Sequence, residues 1–380
     1  MIVDILTKIK RRLLRVYHKV YDVDTSRYIS KISRKAPWVF IAYIPDVFYY
    51  AKDASYLNEH QNRQEALAMV PILNKLGYNV FVQGFEEVDR LPDINVKIIF
   101  GHPPAIEVAA KKYKDAMVIM YATGAHYTHQ NYQVKYITDY VNNKYGLTIP
   151  YRRIVPPYEC HEKAQHILLI GSTSTIETFP VSVRSKITLI HQSIQNAPAL
   201  SSIKYAPENE YFFMGSSGNL LRGVSFLSEY FSEHQDMVLN IVGPIEEFLS
   251  YIRPVLPRNI KIHGILGLGS DKMLNIMSRC NYVIYPTGSE GMPGSVLCSM
   301  KNGLIPLVTK WGAFDEIKDY GYLIDEWSAK GISDAVDWSL TISPEECQKL
   351  KLRCVEYSNN YSLTNFKKEF ETYFRNLGFN

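Results

Sequence analysis

The residues best suited to chemistry occupy one segment of the chain, in which glycine and proline alternate with hydroxyl, carboxylate and thiol side chains. Its sequence is Tyr285-Pro-Thr-Gly-Ser-Glu290-Gly-Met-Pro-Gly-Ser-Val-Leu-Cys298-Ser-Met300. An apolar run typical of a strand precedes it, and a helical pattern begins within it. Glycines let a ligand approach the backbone, and free N–H groups at a helix start attract an anion. The carboxylate of Glu290 suits the hydroxyls of a sugar better than a phosphate, because it can only accept hydrogen bonds.

A second glycine-rich segment, Gly215-Ser-Ser-Gly-Asn-Leu-Leu-Arg222-Gly223, follows another predicted strand. Its hydroxyls, backbone N–H groups and arginine are suited to phosphate oxygens. The simpler interpretation is an ordinary glycine-rich turn between a strand and a helix. The first predicted strand is not followed by a Gly-x-Gly-x-x-Gly motif, which argues against an NAD or FAD site there, and the absence of a Walker A motif argues against a P-loop nucleotide hydrolase.

The composition is that of a globular protein. The chain has 380 residues, of which 46% are hydrophobic and 21% charged, and this balance argues against disorder, collagen and coiled coil. No apolar run approaches the 18 or so residues of a membrane-spanning helix. Five cysteines without a Cys-x-x-Cys pair do not suggest a disulfide framework. We therefore expect a soluble intracellular protein with buried thiols.

The first residues form a basic arm. Residues 1–35 contain ten lysines and arginines and only three aspartates, and apolar residues recur there at helical spacing. Such a helix could lie on an anionic membrane surface through residues 1–20. Equally, it could pack on the protein itself with a solvated basic face. Nucleic acid is disfavoured as a partner, because no second basic stripe follows.

From Pro37 onward, short apolar runs typical of buried strands alternate with helical patterns. The alternation predicts an α/β fold, in which parallel strands are covered by helices on both faces. A polar, proline-containing segment at about residues 193–209 interrupts the alternation and predicts a domain boundary. The predicted divisions are the arm (1–36), a first α/β domain (37–203), a second α/β domain (204–358) and a final helical segment (359–380).

Three helical features have definite limits. One helix is predicted from about Asn62 to Leu76, with Gly77 placed to end it. Ser343, followed by proline and two glutamates, is a predicted helix cap. A final helix is predicted from about Leu363 to Asn376.

The segment from Tyr285 to Ile317 resembles the donor-site region of the retaining, GT-B-fold glycosyltransferases of group one (family four). Residues at matching spacing are Pro286, Glu290, Gly291, Pro293, Met300, Gly303, Pro306, Thr309, Gly312 and Glu316. The stretch from Gly215 to Gly223 resembles the family's Gly-Arg-x-x-x-x-Lys-Gly, with one additional residue. The resemblance is convincing over about residues 205–376, weaker over 37–200 and absent over 1–36. It implies two Rossmann-like parallel-sheet domains facing across a cleft, with the final helix crossing back to the first domain.

The resemblance also implies site residues. Glu290 would hold donor-sugar hydroxyls, and Arg222 would neutralise the diphosphate. His126 would face the donor sugar, with His129 and His102 as competitors for that place. Further implied donor-binding residues are Gly215, Ser216, Ser217, Gly264, Gly291, Met292, Pro293, Cys298 and Glu316. Candidates on the acceptor side are His60, Asn62 and Arg63.

Two positions depart from the family. Cys298 stands where the family has a second glutamate, and a thiol cannot accept the hydrogen bonds by which a carboxylate holds ribose hydroxyls. Ser216 stands where the family has an arginine, which removes one positive charge. Nucleotide binding is therefore expected to be weaker or differently arranged, or the activity to be lost.

These observations predict a glycosyltransferase that moves a sugar from a nucleotide diphosphate sugar to a carbohydrate or polyprenyl-linked acceptor, with retention of configuration and without a metal or other cofactor. Bacterial surface polysaccharide synthesis, in the cytoplasm and peripherally on the inner face of the cell membrane, fits the basic arm. One alternative is a catalytically silent GT-B protein that binds a sugar or a partner. Another is a nucleotide-sugar epimerase, for which no acid and base carboxylates are evident.

Overall fold

The computed structural model describes residues 24–312 and 314–378. The predicted membrane-binding helix within residues 1–20 lies outside the described residues. The strands are β1 (Arg27–Ser30), β2 (Trp38–Tyr43), β3 (Asn79–Gly84), β4 (Val96–Gly101), β5 (Met117–Ala122), β6 (His166–Ile170), β7 (Ile187–Ile190), β8 (Glu210–Met214), β9 (Val238–Val242), β10 (Ile260–Gly264), β11 (Cys280–Tyr285), β12 (Ile305–Thr309) and β13 (Tyr322–Ile324).

Helices connect most of these strands. The α-helices are α1 (Ala54–Leu57), α2 (Gln61–Lys75), α3 (Ala105–Lys112), α4 (Tyr127–Tyr145), α5 (Cys160–Lys163), α6 (Thr173–Glu177), α7 (Val181–Arg184), α8 (Val224–Glu233), α9 (Glu247–Ile252), α10 (Asp271–Ser278), α11 (Gly294–Lys301), α12 (Ala329–Thr341), α13 (Pro344–Ser358) and α14 (Leu363–Asn376). Short 3₁₀ helices lie at Pro45–Phe48, Arg253–Val255, Lys310–Gly312, Ile317–Asp319 and Asn359–Tyr361.

The first sheet has seven strands in the order β1-β3-β2-β4-β5-β6-β7. Strand β2 pairs in parallel with β3 and β4, and β4 pairs in parallel with β5. These strands are mostly apolar because both faces of such a sheet are covered, and Phe40 and Ile99 are fully buried. The edge strand β1 is antiparallel to β3, with Tyr28 opposite Val82.

The second sheet has six parallel strands in the order β10-β9-β8-β11-β12-β13. The strand order reverses between β8 and β11, because β9 and β10 extend from one side of β8 while β12 and β13 extend from the far side of β11. Every residue of β11 and β12 is buried. The α/β class with parallel strands is thus confirmed for both sheets.

The chain divides into two compact units. The first comprises the described residues of Met1–Ala122 with Tyr158–Leu168 and Phe366–Asn380, and the second comprises Thr123–Pro157 and Leu169–Asn365. The second unit contains β8 to β13 and therefore all of the second sheet. The predicted domain limits at 36, 203 and 358 stay a prediction.

The helix limits follow the sequence pattern. The helix predicted at 62–76 is α2, and the final helix α14 has the predicted bounds. Ser343 caps α13 by accepting a hydrogen bond from the backbone N–H of Glu346. All five cysteines are free and buried, as expected. Within the described part of the chain, no helix is long and apolar enough to cross a membrane.

The last helix is held by aromatic packing inside the first unit. Phe366, Phe370 and Phe374 recur at helical spacing on α14 and are fully buried. The ring of Phe370 lies 5.6 Å from that of Phe100 on β4 and 4.8 Å from that of Phe374. The apolar face of α14 therefore completes the core of this unit.

We expect Phe370→Ala to lower the free energy of unfolding of this unit by about 3–5 kcal/mol, because it removes a buried ring and leaves a cavity. Urea unfolding followed by fluorescence measures the loss. The control is Lys368→Ala, an exposed residue of the same helix, which should change stability by less than about 0.5 kcal/mol. A loss for Phe370→Ala as small as that of the control would contradict the packing described.

Candidate functional site

The candidate site lies beyond the carboxyl ends of β8 and β11. In open parallel sheets, the crevice where strand order reverses is the usual place for a ligand. The segment after β8 begins at Gly215, and the segment after β11 begins at Pro286. Both segments singled out in the sequence therefore meet at the reversal point of the second sheet.

A buried ion pair joins the two segments. Arg222 Nη2 lies 2.8 Å from Glu290 Oε1, and the exposed fractions of the two side chains are 4% and 16%. Arg222 Nε donates a 2.6 Å hydrogen bond to the Tyr285 hydroxyl, which in turn donates to Glu290 Oε1 at 3.3 Å. The guanidinium also donates to the backbone carbonyl of Ser217. The residues predicted to bind diphosphate and sugar thus contact each other directly.

The charge of this pair is settled by its surroundings. Burial lowers the pKa of Arg222, but Glu290, Tyr285 and Glu246 together raise it above its ordinary value, so the guanidinium stays protonated. Burial raises the pKa of Tyr285, which keeps its hydroxyl a neutral donor. A cation, a phenol and a carboxylate are therefore held together in a poorly hydrated position.

Glycine permits the close approach of the two segments. Gly223 has a φ of +76°, and a Cβ atom there would lie 2.2 Å from the carbonyl oxygen of Pro286. Any other residue would be strained in this backbone region and would collide with the segment after β11. Gly223 thereby allows α8 to start beside that segment and places Arg222 next to Glu290.

The segment that carries Glu290 also packs against the start of α4. A Cβ atom at Gly291 would lie 2.5 Å from the carbonyl oxygen of Ile170 and 2.9 Å from Gly124 Cα. His129 on α4 contacts the carbonyl oxygen of Gly288 through Nε2 at 3.0 Å. Burial lowers the pKa of His129, so we expect a neutral imidazole. His129 is therefore brought to the same segment as Glu290.

The other two histidines have different places. His126 is buried and caps α4, accepting a hydrogen bond from the N–H of Thr128 through Nδ1. Its own backbone N–H donates to the hydroxyl of Thr178. His102 is in the first unit, with its ring tilted against those of Tyr43 and Tyr121, and burial lowers its pKa to about 4. A role of His126 toward the donor sugar stays a prediction.

The remaining donor-side candidates are distributed around the second sheet. Cys298 on α11 donates a hydrogen bond to Gln195 Oε1 at 3.3 Å, and burial raises its pKa to about 12, so the thiol stays protonated. The exposed Glu316 accepts a hydrogen bond from the Tyr357 hydroxyl. Gly264 ends β10 with a φ of +71°. The exposed Ser216 and Ser217 lie in the same segment as Arg222. The buried Gly291 and Met292 follow Glu290, as does Pro293, which precedes α11.

The acceptor-side candidates lie at the start of α2 in the first unit. His60 caps this helix by accepting a hydrogen bond from the N–H of Asn62. Arg63 pairs with Glu59 at 2.7 Å and lies 3.8 Å above the ring of Tyr56. These local contacts account for the helix start, and an acceptor role stays a prediction.

Arg153 is a site residue that the sequence analysis missed. Its Nη1 atom donates to the Ser217 carbonyl at 3.1 Å, beside the Arg222 contact with the same oxygen. It follows α4 and no glycine-rich segment surrounds it, so no motif pointed to it. Among the described residues, no group of His, Cys, Asp or Glu is placed to hold a metal ion.

Residues 201–360 match the family described as Glycosyl transferases group 1. The matched residues make up less than half of the 380-residue chain, so this part of the chain is similar to that family. The match spans β8 to β13 and contains both segments that form the Arg222–Glu290 pair. It confirms the predicted resemblance, whereas family four and retention of configuration stay predictions. No curated protein matches the chain in sequence.

Solved structures share the fold at low identity. Sucrose-phosphate synthase of Thermosynechococcus elongatus has a TM-score of 0.61 and 11% identity, covering 90% of this chain and 99% of that one. Anabaena Alr3699/HepE, solved with UDP and glucose, has a TM-score of 0.51 and 10% identity over 90% of this chain and all of that one. S. aureus TarM has a TM-score of 0.51 and 14% identity over 74% of this chain, which spans about half of TarM's length. This likeness confirms the GT-B fold.

We expect Glu290→Ala to lower the free energy of unfolding by about 3–5 kcal/mol, because it leaves the buried guanidinium of Arg222 without its carboxylate. Thermal and urea unfolding measure the loss. The control is Glu247→Ala, which breaks the exposed pair with Arg152 and should cost less than about 1 kcal/mol. Equal losses for the two variants would show that the Arg222–Glu290 pair contributes no more to the free energy of unfolding than an exposed pair does.

Proposed function

We propose that the protein is a glycosyltransferase that moves a sugar from a nucleotide diphosphate sugar to a carbohydrate or lipid-linked acceptor. The observation that carries this proposal is the Arg222–Glu290 pair at the reversal point of the second sheet. A carboxylate that can hold sugar hydroxyls lies there beside a guanidinium that can hold a diphosphate. The family of residues 201–360 supports the same activity.

Each half of the pair has a defined part in the reaction. As the bond between the anomeric carbon and the diphosphate oxygen breaks, negative charge grows on the diphosphate, and Arg222 stabilises it. Glu290 accepts hydrogen bonds from the sugar and holds the anomeric carbon in position for the acceptor hydroxyl. Because the pair is already oriented by Tyr285, little reorganisation is needed when the donor binds.

The donor is proposed to carry a nucleoside diphosphate. HepE was solved with UDP and glucose, and TarM with UDP and a GlcNAc-glycerol, so proteins of similar fold bind such molecules. We further propose retention of configuration, on the resemblance to the retaining family. No nucleophile with a base beside it was evident in the sequence, and catalysis would rest on leaving-group stabilisation and positioning without a metal.

The acceptor is proposed to be lipid-linked because of the basic arm. Residues 1–35 combine ten basic residues with apolar residues at helical spacing, a combination that favours anionic membrane surfaces. A polyprenyl-linked acceptor at the inner face of the cell membrane would lie within reach of such an arm. We accordingly propose that the reaction takes place in the cytoplasm, in bacterial surface polysaccharide synthesis.

One observation favours a second candidate, a silent GT-B protein that binds a sugar or partner without turnover. Cys298 stands in the helix where the family has a carboxylate, and its thiol is buried against Gln195. Ser216 likewise leaves the segment after β8 without the family's arginine. With these two charged contacts to the nucleotide missing, the protein would bind a sugar or partner without transfer.

To test the enzyme proposal, purified full-length protein is incubated with UDP-, GDP- and TDP-linked sugars, and released nucleoside diphosphate is measured. We expect one donor class to be hydrolysed or transferred. Glu290→Gln should lower kcat/KM for that donor by about 100-fold, because the amide keeps the shape but loses the charge that orients the sugar and Arg222.

The matched control for this assay is Glu247→Gln, a partly exposed glutamate of α9 whose loss should leave turnover within about twofold of wild type. If nucleotide sugars raise the melting temperature but no donor is transferred or hydrolysed, the silent protein is supported. Equal turnover by wild type and Glu290→Gln would contradict the role given to Glu290.

The membrane proposal is tested by co-sedimentation with vesicles of phosphatidylglycerol and phosphatidylethanolamine. Replacing Lys8, Lys10, Arg11 and Arg12 by glutamine should weaken binding at least tenfold, because each basic residue near an anionic surface contributes about 1 kcal/mol. The control replaces four exposed lysines elsewhere by glutamine, Lys318, Lys349, Lys367 and Lys368. Unchanged binding by the arm variant, or equal loss in the control, would remove the basis of the proposal.

A further inference from the structure

Arg153 carries a second guanidinium near the Arg222–Glu290 pair. It lies after α4, and its Nη1 atom donates to the Ser217 carbonyl oxygen at 3.1 Å. Arg222 is paired with Glu290, whereas Arg153 makes no ion pair with any carboxylate of the described residues. The residue is exposed and therefore open to a molecule arriving from solvent.

The backbone at Arg153 is held in an unfavourable conformation. Its φ is +66°, and it is the sole residue other than glycine with a positive φ among the described residues. Arginine in this left-handed region costs about 1 kcal/mol or more. Strain of this kind persists where the surrounding structure enforces it, and it is often found at ligand-binding positions.

The segment after β8 is shaped to receive the Arg153 side chain. A Cβ atom at Gly218 would lie 2.1 Å from Arg153 Cδ and 3.3 Å from Arg222 Nη1. The aliphatic part of Arg153 therefore crosses the Cα of Gly218, where only glycine leaves enough space. This contact aims the guanidinium at the Ser217 carbonyl and holds it beside Arg222.

Two like charges thus converge on one neutral oxygen. The Ser217 carbonyl accepts hydrogen bonds from both guanidinium groups. Partial loss of hydration beside this segment and repulsion by Arg222 lower the pKa of Arg153, while Glu290 and Glu246 act in the opposite direction. An anion bridging the two guanidinium groups would remove this repulsion and supply the acceptors that one carbonyl cannot.

The same segment already holds one anionic group. The backbone N–H groups of Gly218 and Asn219 donate to the Glu246 carboxylate at 2.8–2.9 Å. These N–H groups contact the carboxylate of Glu246. The guanidinium groups of Arg153 and Arg222 contact the carbonyl of Ser217, the residue before Gly218. The local field of the segment is therefore built to stabilise negative oxygen atoms.

We infer that Arg153 and Arg222 together form a two-guanidinium clamp for the diphosphate of the nucleotide donor, with Arg153 as a binding residue that contacts the leaving group directly. The inference rests on the proposed function. In it, Arg222 is anchored by Glu290 and Tyr285, and Arg153 is the exposed half that the incoming diphosphate engages. The clamp supplies the second positive charge that Ser216 does not.

The test is isothermal titration calorimetry of the full-length protein with UDP, GDP and TDP, and with the corresponding nucleosides. Arg153→Gln should weaken the tightest nucleoside diphosphate at least tenfold and leave binding of its nucleoside unchanged. Arg153→Lys should retain part of the affinity, because it keeps the charge but loses the planar fork. The matched control is Arg152→Gln, the adjacent exposed arginine, which pairs with Glu247 and should bind as wild type does.

A rescue variant separates charge from folding. Ser216 is exposed and adjacent to Ser217, so Ser216→Arg placed in the Arg153→Gln protein should restore at least half of the lost binding free energy. The inference is overturned if Arg153→Gln binds the diphosphate as tightly as wild type, or if it weakens the nucleoside equally. Wild type that binds no nucleoside diphosphate would instead overturn the proposed function, and the clamp with it.

Discussion

The site depends on one buried ion pair. A guanidinium and a carboxylate cannot be taken out of water cheaply unless each is paired and hydrogen-bonded, and Arg222 and Glu290 satisfy this condition with the Tyr285 hydroxyl between them. The pair stabilises the contact between the segments after β8 and β11. It also positions the guanidinium proposed to bind the diphosphate beside the carboxylate proposed to bind the sugar. The same contact therefore serves the fold and the proposed chemistry.

The surrounding backbone is arranged to make that contact possible. The strand order reverses between β8 and β11, which opens a position where two strand ends lie side by side with no helix between them. Gly223 allows the two segments to approach there, and Gly291 allows the segment of Glu290 to pack on Gly124. Each of these glycines stands where a Cβ atom would collide with a neighbouring backbone.

The departures from the family are understandable in the same physical terms. Cys298 is a neutral thiol with Gln195 as its partner, so the helix α11 carries no second buried carboxylate that would need a cation. Ser216 leaves the segment after β8 with a single arginine of its own, Arg222. Arg153 reaches that segment from the loop that follows α4, far away in sequence, and brings a guanidinium to the carbonyl of Ser217 that Arg222 also contacts.

The sequence by itself determined the α/β class, the bounds of α14, the cap at Ser343 and the two segments that carry Arg222 and Glu290, because these follow from local periodicity and from glycine and proline at particular spacings. The tertiary structure alone decided that Arg222 and Glu290 are partners, that His126 caps a helix while His129 contacts the segment of Glu290, and that Arg153 belongs to the site. The contacts of Arg153 with Ser217 and of His129 with Gly288 join residues 64 and 159 positions apart, and the Arg222–Glu290 pair likewise joins two distant segments. Contacts over such separations depend on strand order and on the positive φ angles that bring distant segments together, neither of which has a local signature.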